Sequence, residues 1–120
     1  MKYVQVPKDI EIMVNGQRWT DSAGNADPPW SFSRYVENIV LADPAVGTTY
    51  KDLKACSIVE DQFKNAKVGT WIGVEDAHWE KLKNTIENPK GGGIPPSVLR
   101  QLIPFMDAVL EAKSEKPEKN

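Results

Sequence analysis

The sequence contains little of the chemistry on which catalytic and metal sites depend. It has one cysteine, Cys56, and one histidine, His78. A single cysteine excludes an internal disulfide, and one histidine with scattered carboxylates lacks the ligand set of a zinc site. Nucleophilic catalysis by Cys56 would require His78 as its base. We therefore expect no metal, no catalytic residue and no enzyme activity.

The positions of these two residues favour structural roles. Cys56 lies in the apolar stripe of a predicted helix, where a free cysteine behaves as a small hydrophobic residue. His78 points about 100° away from Trp79 on another predicted helix. We expect Cys56 to pack inward and His78 to face solvent.

The chain also lacks an excess of positive charge and a long apolar segment. Its 15 basic and 17 acidic residues give a net charge of −2, whereas a nucleic-acid-binding protein usually carries a basic excess or stripe. The uncharged stretches are too mixed with Gly, Pro and Thr to span a bilayer. The first residues lack the apolar region of a secretory signal. We expect no nucleic-acid partner and no membrane partner.

A phosphate-binding motif is missing as well. Gly91-Gly92-Gly93 precedes a predicted helix, which is where phosphate-binding loops occur. However, no Gly-Lys-Ser/Thr follows, and Pro95-Pro96 remove two backbone donors. We interpret the glycines as a flexible hinge and expect no cofactor.

What is present predicts a small α+β fold. The 120 residues are enough for one domain, which we place at residues 1–112. Residues 113–120 contain no apolar side chain and are predicted to form a disordered charged tail that is dispensable for folding.

The predicted strands form one small antiparallel sheet. Ile10, Ile12 and Val14 alternate with their neighbours, and Asn15-Gly16 favours a type I′ turn, which predicts a hairpin over residues 10–20. Residues 70–74 predict a further strand in the same sheet, because an isolated hairpin is only marginally stable.

About four helices are predicted from apolar residues at helical spacing. Ser31 caps the first, which ends before Pro44, and Thr48 or Thr49 caps the second, which runs to about Ala66. Glu75 and Asp76 open the third, and Pro95-Pro96 open the fourth. The expected inward-facing residues of the second and third helices are Leu53, Cys56, Val59, Phe63, Trp79, Leu82 and Ile86.

The fourth helix has the widest apolar face in the chain, an arc of about 160°. A core contact needs about 100°, so the remaining width can serve a protein partner or a second copy of this chain, as in a homo-oligomer. Leu102 and Phe105 lie near the centre and are expected in the core. Ile103 and Leu110 mark one edge and are expected to be protein-interaction residues. Pro104 falls among the polar positions, where the helix can bend.

Trp30 is the third candidate protein-interaction residue. It ends a Pro-rich loop that is predicted over residues 21–30, so its ring either pins this loop or anchors a partner, as exposed tryptophans often do. The sequence leaves both alternatives open.

Three segments carry a resemblance to a known class of proteins: Val74-Glu75-Asp76-Ala77-His78-Trp79-Glu80-Lys81-Leu82, Asn88-Pro89, and Leu102-Ile103-Pro104-Phe105-Met106-Asp107-Ala108-Val109. Their order resembles that in small morphogenesis proteins of tailed bacteriophages and prophages. The resemblance implies a role in virion or tail assembly, in the host cytoplasm or within the virion. It assigns no role to any residue.

Two other functions stay open at this point. A small inhibitor of a host enzyme or defence complex, encoded by a mobile element, would also be short, acidic and free of catalytic motifs. An enzyme with an unfamiliar site is disfavoured, because no nucleophile–base pair is evident.

Overall fold

The computed structural model describes residues 1–14, 16–18, 28–91 and 94–117. Helices and short antiparallel strands are combined, so the predicted α+β class is confirmed. The strands are β1 (Lys2–Gln5), β2 (Met13–Val14), β3 (Gln17–Arg18) and β4 (Trp71–Val74). The helices are α1 (Phe32–Tyr35), α2 (Tyr50–Phe63), α3 (Asp76–Glu87), α4 (Pro96–Gln101) and α5 (Ile103–Leu110). A π-helical turn (Val36–Val40) continues α1, and a 3-10 turn (Pro44–Val46) precedes α2.

The predicted hairpin is present, but it does not share a sheet with β4. β2 pairs with β3 on either side of Gly16, which has a φ of 79°. β4 pairs instead with β1, with Val4 opposite Ile72. Asn15, Trp19 and Thr20 lie outside the described residues.

A side chain of α4 occupies the outer edge of β2 in the hairpin. Gln101 on α4 accepts a hydrogen bond from the Met13 N–H at 2.8 Å and donates one to the Met13 carbonyl at 2.7 Å. These bonds satisfy the Met13 backbone groups, which a neighbouring strand would otherwise bind. In the other sheet, β1 is the partner of β4, and the Val4 and Val74 side chains of these strands are both buried.

The segment that contains the hairpin is closed at its base by a backbone pair. Ile10 and Trp30 exchange two hydrogen bonds, of 2.9 and 2.7 Å. The Trp30 side chain is only 4% exposed and belongs to the core. Its place in the fold corresponds to the loop-pinning alternative. Residues 21–27 of the predicted loop lie outside the described residues.

The predicted helix starts agree with the structure where local capping sets them. The Ser31 hydroxyl accepts from the Arg34 N–H, and Thr49 forms a capping box with Asp52. α2 ends at Phe63, before the predicted Ala66.

The inward face of α2 differs from the prediction at Leu53, which is exposed. The buried residues of α2 are Ala55, Val59 and Phe63. They are spaced four residues apart and so lie along one side of the helix, whereas Leu53 is rotated about 120° from Val59. The helix therefore packs on a narrower face than its apolar content predicts.

The predicted fourth helix is two helices. Leu102 separates α4 from α5 and has non-helical angles, φ −93° and ψ 4°. Pro104 explains the break, because it lacks the N–H that would continue the hydrogen-bond ladder to Arg100. Pro104 is exposed, as its place among the polar positions predicts.

The core lies where α1, α2, α3 and α5 meet the β1–β4 sheet. β4 packs against α2, and β1 packs against α5. The Phe32 ring centroid lies 5.4 Å from that of Phe63 and 5.6 Å from that of Phe105. The Trp79 indole N–H donates to the Val109 carbonyl at 2.8 Å and so joins α3 to α5.

The start of the predicted disordered tail is tied to the fold. Lys113 and Tyr3 exchange two backbone hydrogen bonds, of 2.8 and 2.9 Å, and the Lys2 ammonium donates to the Ser114 hydroxyl. The ordered part of the chain therefore extends past residue 112, because the backbone after α5 meets the free edge of β1. Residues 118–120 lie outside the described residues.

Candidate functional site

The wide apolar face of α4 and α5 is divided into two stripes. The buried stripe consists of Val98, Leu102, Phe105 and Val109, none of which is more than 1% exposed. The second stripe, which we call the outer stripe, consists of Leu99, Ile103, Met106 and Leu110, all of which retain some exposure. The core therefore uses only part of the apolar arc.

Two predicted interaction residues belong to the outer stripe. Ile103 is 46% exposed, and Leu110 is half-buried. The predicted centre of the arc, Leu102 and Phe105, is fully buried, which confirms the assignment of these two residues to the core. The third candidate, Trp30, is buried in the core and is not part of the outer stripe.

The outer stripe leads into a cleft between the helices. Leu99 and Met106 form one wall, and Ile39 and Ile86 face them from the π-helical turn and from α3. The volume of this cleft, which we call the apolar cleft, is about 150 Å³. Cofactor and drug-sized ligands occupy pockets of about 300–1,000 Å³, while a cavity of about 150 Å³ holds a benzene ring. The apolar cleft therefore has room for one large apolar side chain.

The charged side chain that lines this cleft already has hydrogen-bond partners within the protein. Asp43 is the only charged residue among those that line the described cleft. Its carboxylate accepts hydrogen bonds from the backbone N–H groups of Ala45, Lys90 and Gly91, at 2.8, 3.1 and 3.0 Å. A carboxylate that already accepts three hydrogen bonds has little capacity left to bind a ligand. Ligand binding in this cleft therefore depends mainly on apolar contacts.

The polar lining residues other than Asp43 are uncharged. Burial raises the pKa of the Tyr35 hydroxyl above its usual value, so the phenol stays protonated. The Thr85 hydroxyl donates to the Lys81 carbonyl at 2.8 Å. Asn38 is exposed at the cleft and supplies an uncharged polar group.

A second cleft lies between the end of β1 and α5. Its volume is about 480 Å³, and its lining includes Trp71, Pro104, Asp107 and Glu111. The Lys113 ammonium lies 5.3 Å from the centre of the Trp71 ring, so a cation of the same chain already occupies the aromatic face. The lining of this cleft is more mixed in polarity than that of the apolar cleft.

Exposed apolar side chains also lie on α2, where Tyr50 and Leu53 are one helical turn apart. Neither of the two clefts described above is lined by a residue of α2. The outer stripe differs from this surface because it adjoins a cleft that a side chain of a partner can enter.

The histidine is more buried than predicted. The His78 side chain is 13% exposed, and its Nε2 lies 3.8 Å from the Glu75 carboxylate. Its Nδ1 is buried and has no hydrogen-bond partner. The prediction of a solvent-facing histidine is wrong, because only a small part of the imidazole ring is exposed to solvent.

The cysteine is half-buried and lies on the inward side of α2. Burial raises the pKa of the Cys56 thiol, and the carboxylates of Asp52 and Glu60 raise it further, against the Lys81 ammonium. The thiol is therefore protonated at neutral pH, the less nucleophilic form.

Neither a metal cluster nor a membrane span is found within the described ranges. No group of three or more His, Cys, Asp or Glu side chains is placed there to hold a metal ion. Of the helices in the same ranges, none combines the length and the apolar character that a membrane span requires.

The sequence could predict the outer stripe but not the apolar cleft. Ile103 and Leu110 follow from helical periodicity, a local signal. Asp43 and Ile86 reach the same cavity from distant parts of the chain, and no short-range pattern marks them. In comparisons of the chain with family models, curated proteins and solved structures, nothing matches.

Proposed function

We propose that this chain is a non-catalytic protein-interaction module that takes up an apolar side chain of a partner protein in the apolar cleft. The observation that carries the proposal is the outer stripe, which is apolar, partly exposed and continuous with a cleft of about 150 Å³. Binding energy at protein interfaces is concentrated in a few large side chains that fill pockets. Ile103 and Leu110 then provide the apolar contacts around that pocket.

The proposed setting is the assembly of a tailed-phage virion. Its support is the resemblance of residues 74–82, 88–89 and 102–109 to small phage morphogenesis proteins. The partner is then a virion protein, and binding takes place in the host cytoplasm during tail or head–tail assembly. An assembly role also accommodates a second copy of this chain as the partner.

The test is capture of partners by the tagged full chain from native lysate, with and without added phage structural proteins. We expect capture of a virion protein or self-association, and a loss of either in Ala42→Trp, which places a large ring at the cleft lining. Capture of one host enzyme in place of virion proteins would support the inhibitor alternative. Capture that Ala42→Trp leaves unchanged would contradict a role for the cleft.

A further inference from the structure

The segment Pro89–Gly91, which we call the strap, forms one side of the apolar cleft. Pro89 and Gly91 both line the cavity. The strap follows α3, and two hydrogen bonds connect it to the other side of the cleft, from the Lys90 and Gly91 N–H groups to the two carboxylate oxygens of Asp43. One side chain thus fixes this part of the wall.

Asp43 is itself held in place. It is the N-cap of the 3-10 turn, and it accepts from the Ala45 N–H at 2.8 Å. Its side chain is 8% exposed. The carboxylate is therefore oriented by its own turn and presents the remaining acceptor positions to the strap.

Gly91, the first glycine of the predicted hinge, allows the strap to approach this closely, whereas Gly92 and Gly93 lie outside the described residues. A Cβ atom at this position would lie 3.2 Å from an Asp43 carboxylate oxygen and 3.2 Å from Cδ of Pro44. A side chain at this position would require the Asp43 carboxylate and Pro44 to shift by a few tenths of an ångström. Gly91 thus leaves room for the Asp43 carboxylate and also donates a hydrogen bond to it.

The carboxylate stays charged over the neutral pH range. Burial alone would raise the pKa of Asp43, but the N–H groups of Ala45, Gly91 and Lys90 and the Lys90 ammonium together hold it below its usual value. A lowered pKa means that the stabilisation is present above the ordinary carboxyl pKa and is lost as pH falls through the lowered one. The strap is therefore fixed at neutral pH.

We propose that Asp43 is a positioning residue that preorganises the apolar cleft by fixing the strap. The proposal rests on the proposed function for its biological meaning, but it concerns the cavity itself. A wall that is fixed before binding spares the ligand the cost of ordering it, which increases affinity. Asp43 thus increases the affinity for the ligand by fixing the strap, and not by a direct electrostatic contact with the ligand.

The test uses the full chain and benzene as the probe, because a cavity of about 150 Å³ holds this molecule. NMR chemical shifts of the Ile86 and Met106 methyl groups report binding, and hydrogen exchange of the Lys90 and Gly91 amides reports the strap. In Asp43→Asn we expect amide exchange at least tenfold faster and benzene binding several-fold weaker. Asp107→Asn, at an exposed position on α5, is the matched control and should change neither.

Two further readouts separate positioning from general loss of structure. Benzene affinity of the wild type should fall as pH drops through the lowered pKa of Asp43, and this pH dependence should be absent in Asp43→Asn. Gly91→Ala crowds the Asp43 carboxylate and Pro44 while it keeps the charge of Asp43, and should weaken benzene binding in the same direction.

The outcomes distinguish this proposal from the proposed function. The preorganised cleft would be overturned if Asp43→Asn showed faster amide exchange with unchanged benzene affinity. It would also be overturned if Asp43→Asn left the amide exchange unchanged, or if the wild type did not bind benzene. A wild type that binds benzene with the expected dependence on Asp43, but captures no protein, would support the preorganised cleft and contradict the proposed function.

Discussion

Phe105→Ala is expected to lower the free energy of unfolding by about 3–5 kcal/mol, the range for deleting a buried aromatic side chain. Phe105 is 0% exposed. Its ring lies 5.6 Å from the rings of both Phe32 and Tyr35, so its removal leaves a cavity between α1 and α5. The measurement is equilibrium unfolding by urea, with the slope compared between variants to check that both unfold in the same way.

Phe105→Leu is the control for this prediction. It keeps most of the apolar volume and should cost less than half as much, because volume-conserving replacements in cores are better tolerated. A loss below about 1 kcal/mol for Phe105→Ala would mean that α5 does not dock on the core as described, since measured costs of such deletions lie well above this value.

Trp30→Ala is expected to destabilise the fold by a similar amount, about 3–5 kcal/mol. The ring is buried in the core, and the Arg34 guanidinium lies 4.0 Å from its centroid. The backbone of the same residue closes the segment that contains the hairpin through its pair with Ile10. Urea unfolding gives the global loss, and hydrogen exchange of the Ile10 amide shows whether this closure weakens too.

This substitution also separates the two roles that the sequence leaves open for Trp30. A pinning role predicts a large loss of stability, with Trp30→Phe retaining part of it. If Trp30→Ala instead kept the wild-type stability and lost partner capture, the ring would be a partner contact.

The features that could be predicted from the sequence are those set by residues close together in the chain. Ser31 and Thr49 cap their helices through N–H groups three residues away. The division of α4 and α5 into a buried centre and an exposed edge follows from spacing alone, as Phe105 and Ile103 show. Gly16 marks the turn of a hairpin whose strands are its immediate neighbours.

The features that the sequence did not predict depend on distant partners. β1 and β4 are separated by most of the domain, and the local sequence of residues 2–5 does not specify which strand they join. Asp43 bonds to backbone groups 47 and 48 residues away, and Gln101 bonds to Met13, 88 residues away. Neither side chain differs in its local sequence from an ordinary surface residue.

The position of Pro104 shows an intermediate case. Its effect on the helix was predictable in kind, because a proline always removes one backbone donor. Whether the helix bends or divides depends on the packing on either side. Here Leu102, at the break, is fully buried, and two helices result.

The most direct test of the outer stripe as a partner-binding surface compares Ile103→Asp with Ile58→Asp. The two isoleucines have similar exposure, 46% and 41%, but Ile58 lies on α2, away from the apolar cleft. The quantity measured is the dissociation constant of the complex or oligomer that the wild-type chain forms, by sedimentation velocity, together with a thermal melt of each variant. We expect Ile103→Asp to weaken association tenfold or more, about 1.4 kcal/mol, with Ile58→Asp close to wild type and both variants folded. Equal effects of the two substitutions on association would contradict the account. So would a loss of stability in Ile103→Asp as large as the roughly 2–5 kcal/mol expected for replacing the fully buried Leu102 with alanine.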